Sequence, residues 1–321
     1  MRPTWAEVDL GAVAHNVGLL VERVAPSEVW AVVKADGYGH GAVPVARAAL
    51  DAGACGLAVA LVEEAAALRD AGIEAPVLLL SEVRPDELRE LVGVDVGGAL
   101  YTGGGIWAAA ALGRPLRVHL KVDTGMHRVG AAPEDVVELA RAVVEAPALE
   151  LAAVWTHCAV ADEPANPFTA EQLDRFDAVL GALADAGIEV ARTHAANSAG
   201  AIAHPAARRS FVRAGIAVYG IDPSPALAGE LDLRPALRLR SEVTHVKRVA
   251  AGEGISYGLR HTFGRDATVA TVPIGYADGV RRRLGLLNQD VLLRGRRRPM
   301  VGVVTMDQLM VDCGDDEVAV G

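Results

Sequence analysis

Short apolar runs alternate with amphipathic segments over the first two thirds of the chain. Eight of these runs have the length and the Val, Leu and Ala content of buried strands, at residues 29–33, 56–60, 76–80, 97–101, 116–122, 151–156, 190–195 and 210–215. Between them, apolar residues recur at three- and four-residue spacing, as helices require, at residues 63–71, 133–145 and 169–186 among others. Alternating strands and helices form parallel sheets, and eight strands close into a (β/α)8 barrel of the TIM type. The pattern therefore predicts an α/β fold with an N-terminal barrel. A doubly wound open sheet is the alternative, because periodicity does not report closure.

The pattern of apolar and polar residues changes after residue 235. Residues 237–249 alternate between apolar and polar side chains with a period of two, and further short apolar runs follow at residues 267–275, 289–295 and 298–306. This pattern, without long amphipathic segments, is typical of antiparallel sheets. A Pro-rich stretch at 223–235 marks the change. We predict a barrel domain at 1–235, whose first residues are free to join the second domain, and a β domain at 236–321.

The composition excludes two classes of protein. Hydrophobic residues make up 51% of the chain, which is enough for a large core and excludes disorder. The formal net charge of -10 excludes a general nucleic-acid binder, because phosphate contacts need surplus Lys and Arg. Cys55, Cys158 and Cys313 lie far apart without a CxxC pair, as expected in a reducing compartment.

No segment has the character of a signal peptide or a membrane helix. The opening MRPTWAEVDL places Glu7 and Asp9 where a signal peptide needs an apolar run. The longest uncharged stretch, residues 96–113, contains six glycines and suits a loop and a helix start better than a membrane span. We expect a cytoplasmic protein without membrane or nucleic-acid partners.

The basic residues are distributed unevenly between arginine and lysine. Of 31 basic residues only three are lysines, namely Lys34, Lys121 and Lys247. A deprotonated primary amine forms a Schiff base or a carbamate, whereas a guanidinium stays protonated. The few lysines are therefore candidates for chemistry that arginine cannot perform.

Polar side chains follow several of the predicted strands, at the end where barrel active sites lie. Lys34 precedes a glycine-rich turn, and Lys121, His157 and His194 end other strands. Arg213 lies at the end of the last strand, where the Gly215 and Ile216 amides could hold a phosphate with Asn197 and Ser198 nearby. Simpler alternatives remain open: Lys34 as a solvated loop residue, Ser198 as a helix N-cap, and the two histidines as core residues.

A metal-dependent barrel hydrolase is an alternative on the same residues. A carbamylated Lys121 together with Asp123, His157 and His194 could ligate two metal ions. Such hydrolases typically begin with a His-x-His pair on the first strand, and here that strand ends in Lys34. We therefore expect no metal.

Eight sequence blocks, in order, resemble the alanine racemase family, which uses pyridoxal 5'-phosphate (PLP). The first, VVKADGYGHG at 32–41, resembles the family's PLP-lysine signature. The others are KVDTGMHRVG, WTHCAVAD, HAANSAG, RAGIAVYG, GISYG, PIGYADG and VGVVTMDQLMVD. The resemblance covers essentially the whole chain, and eight ordered blocks make it specific.

The resemblance implies roles for residues of both predicted domains. Lys34 would hold PLP as a Schiff base and act as the base on one face of the substrate. Tyr257 of the partner subunit in a head-to-tail homodimer would be the base on the other face. Arg213, supported by His157, would face the pyridine nitrogen of the cofactor.

The resemblance also implies binding residues. Arg128, oriented by a carbamate on Lys121, would contact the cofactor's phenolic oxygen and the substrate carboxylate. Four residues would bind the phosphate, namely Tyr38, Ser198, Gly215 and Ile216, with Asn197 beside them. The partner's substrate entrance would be lined by Tyr276, Met306 and Asp307.

The implied activity is the PLP-dependent interconversion of L-alanine and D-alanine, which supplies D-alanine for peptidoglycan. The alternatives are a racemase of broader specificity, for example for serine, and a non-catalytic PLP carrier. The chain departs from the family at Ala214, where Pro is common, and at Val303 and Thr305, where Arg and Cys are frequent. It also stops at GDDEVAVG, where the family usually continues for several dozen residues, so we expect a truncated β domain.

Overall fold

The structure is a computed structural model that describes residues 2–287 and 289–321. It divides into two compact units. The first is Val8–Leu237, and the second is Arg238–Gly321 together with the residues that precede Val8.

The elements are numbered along the chain. The strands are β1 (Thr4–Val8), β2 (Glu28–Val32), β3 (Gly56–Val59), β4 (Val77–Leu79), β5 (Gly97–Leu100), β6 (Leu116–Lys121), β7 (Leu149–Trp155), β8 (Thr193–His194), β9 (Phe211–Ala214), β10 (Leu237–Ser241), β11 (His245–Val249), β12 (Gly254–Ile255), β13 (His261–Thr262), β14 (Ala267–Val272), β15 (Asp290–Leu293), β16 (Arg296–Val301) and β17 (Leu309–Gly314). The right-handed α-helices are α1 (Leu10–Val24), α2 (Ala42–Asp51), α3 (Val62–Asp70), α4 (Leu88–Gly93), α5 (Gly103–Ala111), α6 (Val136–Glu145), α7 (Phe168–Asp185) and α8 (Ser198–Ala203).

The first unit is the predicted parallel barrel. Its eight strands follow one another in the order β8-β7-β6-β5-β4-β3-β2-β9, so the last strand pairs with the first. Two backbone hydrogen bonds join the β8 and β9 segments, from Ser210 N–H to Thr193 O and from Arg213 N–H to Ala196 O, both at 3.0 Å. The fold prediction is confirmed, and the doubly wound alternative is wrong because the strand order never reverses.

Alternation along the strands separates two cores. In β2, Val29 and Ala31 pack into the large layer between strands and helices, whereas Trp30 and Val32 point into the barrel. The interior is filled by large rings that need small neighbours. A Cβ on Gly56 would lie 2.6 Å from the Trp30 ring. Large and small side chains thus interlock inside the barrel, as close packing requires.

The second unit is an antiparallel β structure. Strands β11, β14, β17, β16 and β15 form one sheet in that order, and β12 pairs with β13. Strand β1 pairs with β10, so the stretch predicted from alternation at 237–249 is two strands in different sheets. Its core is small, with Val243, Ile274, Met300 and Val311 among its buried members.

Two expectations concern the chain as a whole. All three cysteines are free thiols, with Cys55 exposed and the other two buried. Within residues 2–287 and 289–321, no helix combines the length and apolar character needed to cross a bilayer.

Candidate active site

A cavity of about 630 Å³ opens in the first unit, at the end of the barrel where the strands terminate. All ten site residues predicted in this part of the chain line it, namely Lys34, Tyr38, Lys121, Arg128, His157, Asn197, Ser198, Arg213, Gly215 and Ile216. Residues spread over 183 positions of sequence thus meet in one place because parallel strands deliver their ends to the same face.

Lys34 begins a left-handed turn. The segment Lys34–Gly39 is hydrogen-bonded like one helical turn, but Ala35, Asp36 and Tyr38 have φ of 51°, 51° and 55°. Each residue with a Cβ costs about 1–2 kcal/mol in this conformation. Backbone strain of this size is common at functional sites and needs local hydrogen bonds to hold it. One such bond runs from Ala42 N–H to the Asp36 carboxylate at 2.8 Å.

Ser198 lies against the loop that follows β9. Its Oγ accepts the Gly215 amide at 2.9 Å and the Ala217 amide at 3.3 Å. Because both lone pairs are occupied, the Ser198 hydroxyl proton is free to donate into the cavity. The N-cap of α8 is Asn197, which accepts the Gly200 amide at 2.9 Å, so the alternative of Ser198 as N-cap is wrong.

Tyr38 covers the same loop. Its ring stacks on Tyr219 with centroids 4.6 Å apart, and a Cβ on Gly215 would lie 2.6 Å from the Tyr38 hydroxyl. Burial raises the pKa of Tyr38, so its phenol stays protonated and can donate a hydrogen bond. Glycine at 215 is therefore required by the approach of this phenol.

Arg213 is a buried cation with neutral partners. Its Nη1 lies 2.5 Å from His194 Nδ1, and its Nη2 lies 3.1 Å from His157 Nδ1. Nη2 also donates to the backbone carbonyls of Thr156 and Ala195, both at 3.0 Å. Burial lowers the pKa of Arg213 to about 9, so the guanidinium remains protonated at neutral pH.

The histidines around Arg213 are neutral. Burial, reinforced by the Arg213 charge, holds the pKa values of His157 and His194 well below their usual range. Burial lowers the pKa of His119, which lies inside the barrel next to His194, to about 3. His194 lies beneath the cavity, as the alternative of a core histidine expects, whereas His157 lines it.

Lys121 is buried beside a second cation. Its Nζ donates to Val129 O at 3.0 Å and lies 4.9 Å from the centre of the Trp155 ring. Burial and the neighbouring Arg128 and Arg213 charges lower the pKa of Lys121 to about 8. About a tenth of this amine is therefore unprotonated at pH 7, far more than of an ordinary lysine.

The cavity is electropositive. Its lining includes one carboxylate, Asp162, and four basic side chains: Lys34, Lys121, Arg128 and Arg213. Buried charges are normally paired, so this excess favours an anionic ligand.

The remaining predicted residues lie in the second unit. Tyr257 is 64% exposed, at the edge of a recess that Arg260 and residues 281–283 also line. Ser256 precedes it with φ of 63° and donates its hydroxyl to Val303 O at 2.6 Å. Tyr257 is thus an exposed residue that directly follows a strained backbone position.

Tyr276 and Met306 lie on two loops that are bonded together. Tyr276 N–H donates to Thr305 O, and Ala277 N–H donates to Met306 O, both at 3.0 Å. The Tyr276 and Met306 side chains are 40% and 53% exposed. Asp307 follows on the second loop and lies 3.8 Å from Arg2.

Several cavity residues escaped the sequence-based prediction. They include Val32, Ala60, Leu80, Ser81, Trp155, Asp162 and Pro223. Two cations lie over the Trp155 ring: Arg213 at 4.5 Å from the ring centre and Lys121 at 4.9 Å. In the sequence, Trp155 directly precedes Thr156 and His157 at the end of a predicted strand, and this position was the feature that could have indicated a place in the site.

The metal-site alternative finds no support in the part of the chain that the structure describes. There, no three His, Cys, Asp or Glu side chains are grouped to hold a metal ion. Arg213 donates to the Nδ1 atoms of both His157 and His194, so a guanidinium lies where that alternative expects metal ions.

Known proteins are similar to this chain over nearly its full length. The family model for the alanine racemase N-terminal domain matches residues 8–223, and that for the C-terminal domain matches 236–321. The alanine racemase of Symbiobacterium thermophilum is 50% identical over 320 residues, covering 98% of this chain and 85% of that protein. That of Thermobifida fusca is 45% identical over 323 residues, covering 98% and 86%.

A solved structure shares the fold. The crystal structure of alanine racemase from E. faecalis superposes with a TM-score of 0.93 at 42% sequence identity. The superposition covers 100% of this chain and 87% of that chain.

Proposed function

Because the chain belongs to the alanine racemase family, we propose that it interconverts L-alanine and D-alanine with PLP as cofactor and so supplies D-alanine for peptidoglycan. The observation that carries the proposal is the convergence of Lys34 and three further basic side chains on one cavity. Among the relatives compared, those named alanine racemase reach 50% sequence identity to this chain, which favours alanine over serine as substrate.

The donors in the cavity fit the charge of PLP, whose phosphate and phenolic oxygen are both anionic. The basic side chains outnumber carboxylates, the Ser198 hydroxyl proton is free, and the Tyr38 phenol reaches the Gly215 loop. We assign phosphate binding to Tyr38, Ser198, Gly215 and Ile216, with Asn197 holding the start of α8. When bound, PLP withdraws electrons from the substrate α-carbon and makes its proton removable.

Lys34 is assigned two tasks. Its primary amine, at the start of the left-handed turn, holds the cofactor covalently. As a free amine in the same cavity, Lys34 would move the α-proton of the substrate on its side.

Arg213 is assigned to the pyridine nitrogen of the cofactor. A guanidinium carries only donors and stays protonated here, so it cannot accept a proton from the ring. His157 and two backbone carbonyls hold Nη2 from below, which fixes the plane of the guanidinium.

Arg128 is assigned to the substrate carboxylate and the phenolic oxygen of the cofactor. Lys121, its neighbour, is a second cation that would repel it. An unprotonated Lys121 amine and CO₂ give a carbamate and release one proton. The carbamate reverses the charge at this position and forms an ion pair with Arg128.

Racemisation needs a second base on the opposite face of a planar α-carbon. We assign this role to Tyr257 of a second copy of the chain in a head-to-tail homodimer, with Tyr276, Met306 and Asp307 lining the entrance. The exposure of Tyr257, Leu259 and Met306, at 64%, 64% and 53%, suits a surface that a second copy covers.

The test of this proposal is α-proton exchange in deuterated water. The protein with PLP is incubated with L-alanine, and α-deuterated D- and L-alanine are measured over time. We expect deuterium in both enantiomers and none with Lys34→Ala. Binding of PLP without α-deuteration would overturn the proposal and favour the PLP carrier.

A further inference from the structure

One carboxylate joins the ends of the first two barrel strands. Glu64 lies in the first turn of α3, and its Oε2 accepts the amides of Ala60 and Leu61 at 2.8 and 3.1 Å. These bonds cap the helix. Its Oε1 accepts the amide of Ala35 at 2.5 Å, 29 residues earlier in the chain.

The bond to Ala35 reaches the left-handed turn at its first strained residue. Ala35 has φ of 51° and is the first of the consecutive left-handed residues after Lys34. Within the turn, the Asp36 carboxylate accepts the amide of Ala42, and Gly37 N–H donates to Val33 O at 2.8 Å. At the Lys34 end, the Glu64 carboxylate accepts the Ala35 amide. Val33, the residue before Lys34, donates its N–H to Ala58 O at 2.9 Å.

The charge of Glu64 matters for this arrangement. A carboxylate offers acceptors on both oxygens, so one side chain can serve Ala35 and the α3 cap together. An amide at the same position has one acceptor oxygen and one NH₂ donor. The NH₂ group would face either the Ala35 N–H or the cap N–H groups, and one of the two attachments would be lost.

We propose that Glu64 is a positioning residue for Lys34. It holds the strained turn in its left-handed conformation and thereby aims the Lys34 amine into the cavity. The catalytic consequence rests on the proposed function, since it assumes that Lys34 bonds to PLP. The conformational claim does not depend on the cofactor.

The variant that tests the proposal is Glu64→Gln, and the chain offers a matched control. Glu63 is adjacent, exposed and also in the first turn of α3, so Glu63→Gln removes the same charge from the same helix end. Each protein is mixed with PLP, and the rate at which Lys34 acquires the borohydride-trapped label is measured by peptide mapping. We expect Glu64→Gln to slow labelling by about tenfold or more, as loss of a charge-assisted bond implies, and Glu63→Gln to label like the natural protein.

A second measurement is independent of the cofactor. Amide hydrogen exchange is followed at Ala35 in the unmodified chain and in both variants. We expect protection at Ala35 in the unmodified chain and in Glu63→Gln, and its loss in Glu64→Gln while the barrel strands stay protected. An Ala35 amide that exchanges freely in the unmodified chain overturns the proposal, even where Glu64→Gln fails to fold.

The outcomes separate the two proposals. Equal labelling rates in the unmodified chain and Glu64→Gln would show that Glu64 only caps α3. Absence of label at Lys34 in the unmodified chain would instead contradict the proposed function. A lower melting temperature of Glu64→Gln with an unchanged labelling rate would likewise show that the role of Glu64 is structural alone.

Discussion

Arg213 shows how a single buried charge organises its surroundings. Its side chain is 3% exposed and is surrounded by imidazoles, carbonyls and the Trp155 ring instead of a carboxylate. A carboxylate would neutralise the guanidinium, whereas neutral acceptors orient it and leave its positive field in the cavity. The arrangement favours an anionic or electron-rich ligand over an internal ion pair.

The hydrogen-bond chain behind Arg213 has a fixed direction. A guanidinium only donates, so His194 Nδ1 accepts, and the single proton of neutral His194 lies on Nε2. His194 Nε2 then donates to His119 Nδ1 at 3.1 Å. His194 is held between Trp155 and Phe211, with ring centroids 5.0 and 4.1 Å away, so rotation of the ring is hindered.

Removal of His119, the last acceptor in this series of hydrogen bonds, should destabilise the folded protein. We expect His119→Leu to lower the free energy of unfolding by about 1–3 kcal/mol, because it leaves the His194 Nε2–H buried without a partner. Chemical denaturation measures the loss, and NMR of ¹⁵N-labelled histidine follows the Nε2–H signal. His119→Asn, which keeps an acceptor near the Nδ1 position, should retain a hydrogen-bonded signal. A leucine variant with unchanged stability and signal would refute the assignment.

Lys121 should make stability depend on pH. Its pKa is lowered from 10.5 to about 8, so between these values the unfolded chain binds more protons and stability rises with pH. Burial of the charged Lys121 amine lowers the free energy of unfolding by its full amount below pH 8. Above pH 10.5 the amine is uncharged in both states and this destabilisation disappears. Relative to Lys121→Met in CO₂-free buffer, the natural chain should gain about 3 kcal/mol from pH 7 to 10.5. Parallel stability curves for the two proteins would argue against a buried, charged amine.

At the residue scale, sequence reasoning identified the groups whose chemistry is unusual. The scarcity of lysine drew attention to Lys34 and Lys121, and both line the cavity. Glu64 and His119 were missed because their roles depend on contacts across 29 and 75 residues of sequence. His119 shares a face of β6 with Lys121, two residues on, which was its one signal in the pattern.

At the element scale, the hydrophobic pattern located every strand of the barrel. The weakest agreement is at β8, where a six-residue prediction corresponds to Thr193–His194 alone. Strand β1 was not predicted, because Thr4–Val8 gains its pairing only from β10, more than 200 residues later. The left-handed turn at Lys34 was also missed, since Ala35 and Tyr38 are residues that seldom adopt positive φ.

Turns at the ends of elements differ in how strictly they need glycine. Gly220 ends the 3₁₀ turn Ile216–Tyr219 with φ of 80°, and a Cβ there would lie 1.8 Å from Arg234 O. Gly187 follows α7 with φ of 72° and has open space around it. We expect Gly220→Ala to cost more than about 3 kcal/mol and Gly187→Ala about 1 kcal/mol, because only the first adds a backbone clash to the strain. Thermal unfolding of both variants measures the difference, and equal melting temperatures would contradict it.

At the scale of the whole molecule, the proposed residues are divided between the two units. Lys34 lies in Val8–Leu237 and Tyr257 in Arg238–Gly321. Sequence pattern predicted the fold of each unit, because both depend on local periodicity. The pattern cannot decide whether the proposed bases Lys34 and Tyr257 act within one copy of the chain or between two, since that depends on contacts between folded surfaces.

Shared active sites should allow two inactive variants to restore each other. In a head-to-tail dimer, Lys34→Ala and Tyr257→Phe subunits together form one intact site and one doubly defective site. Random exchange of subunits should therefore recover about a quarter of the natural racemase activity. Each variant alone should stay nearly inactive, which is the control. A mixture no more active than its components would place both bases in one chain.

The proposed racemase activity requires a covalent bond between Lys34 and PLP. The decisive measurement is borohydride reduction of the purified protein in excess PLP, followed by absorbance spectra and mapping of the modified peptide. We predict a visible absorbance band before reduction and a single labelled residue, Lys34. A colourless protein, or label at Lys121 or Lys247 in place of Lys34, would contradict the account.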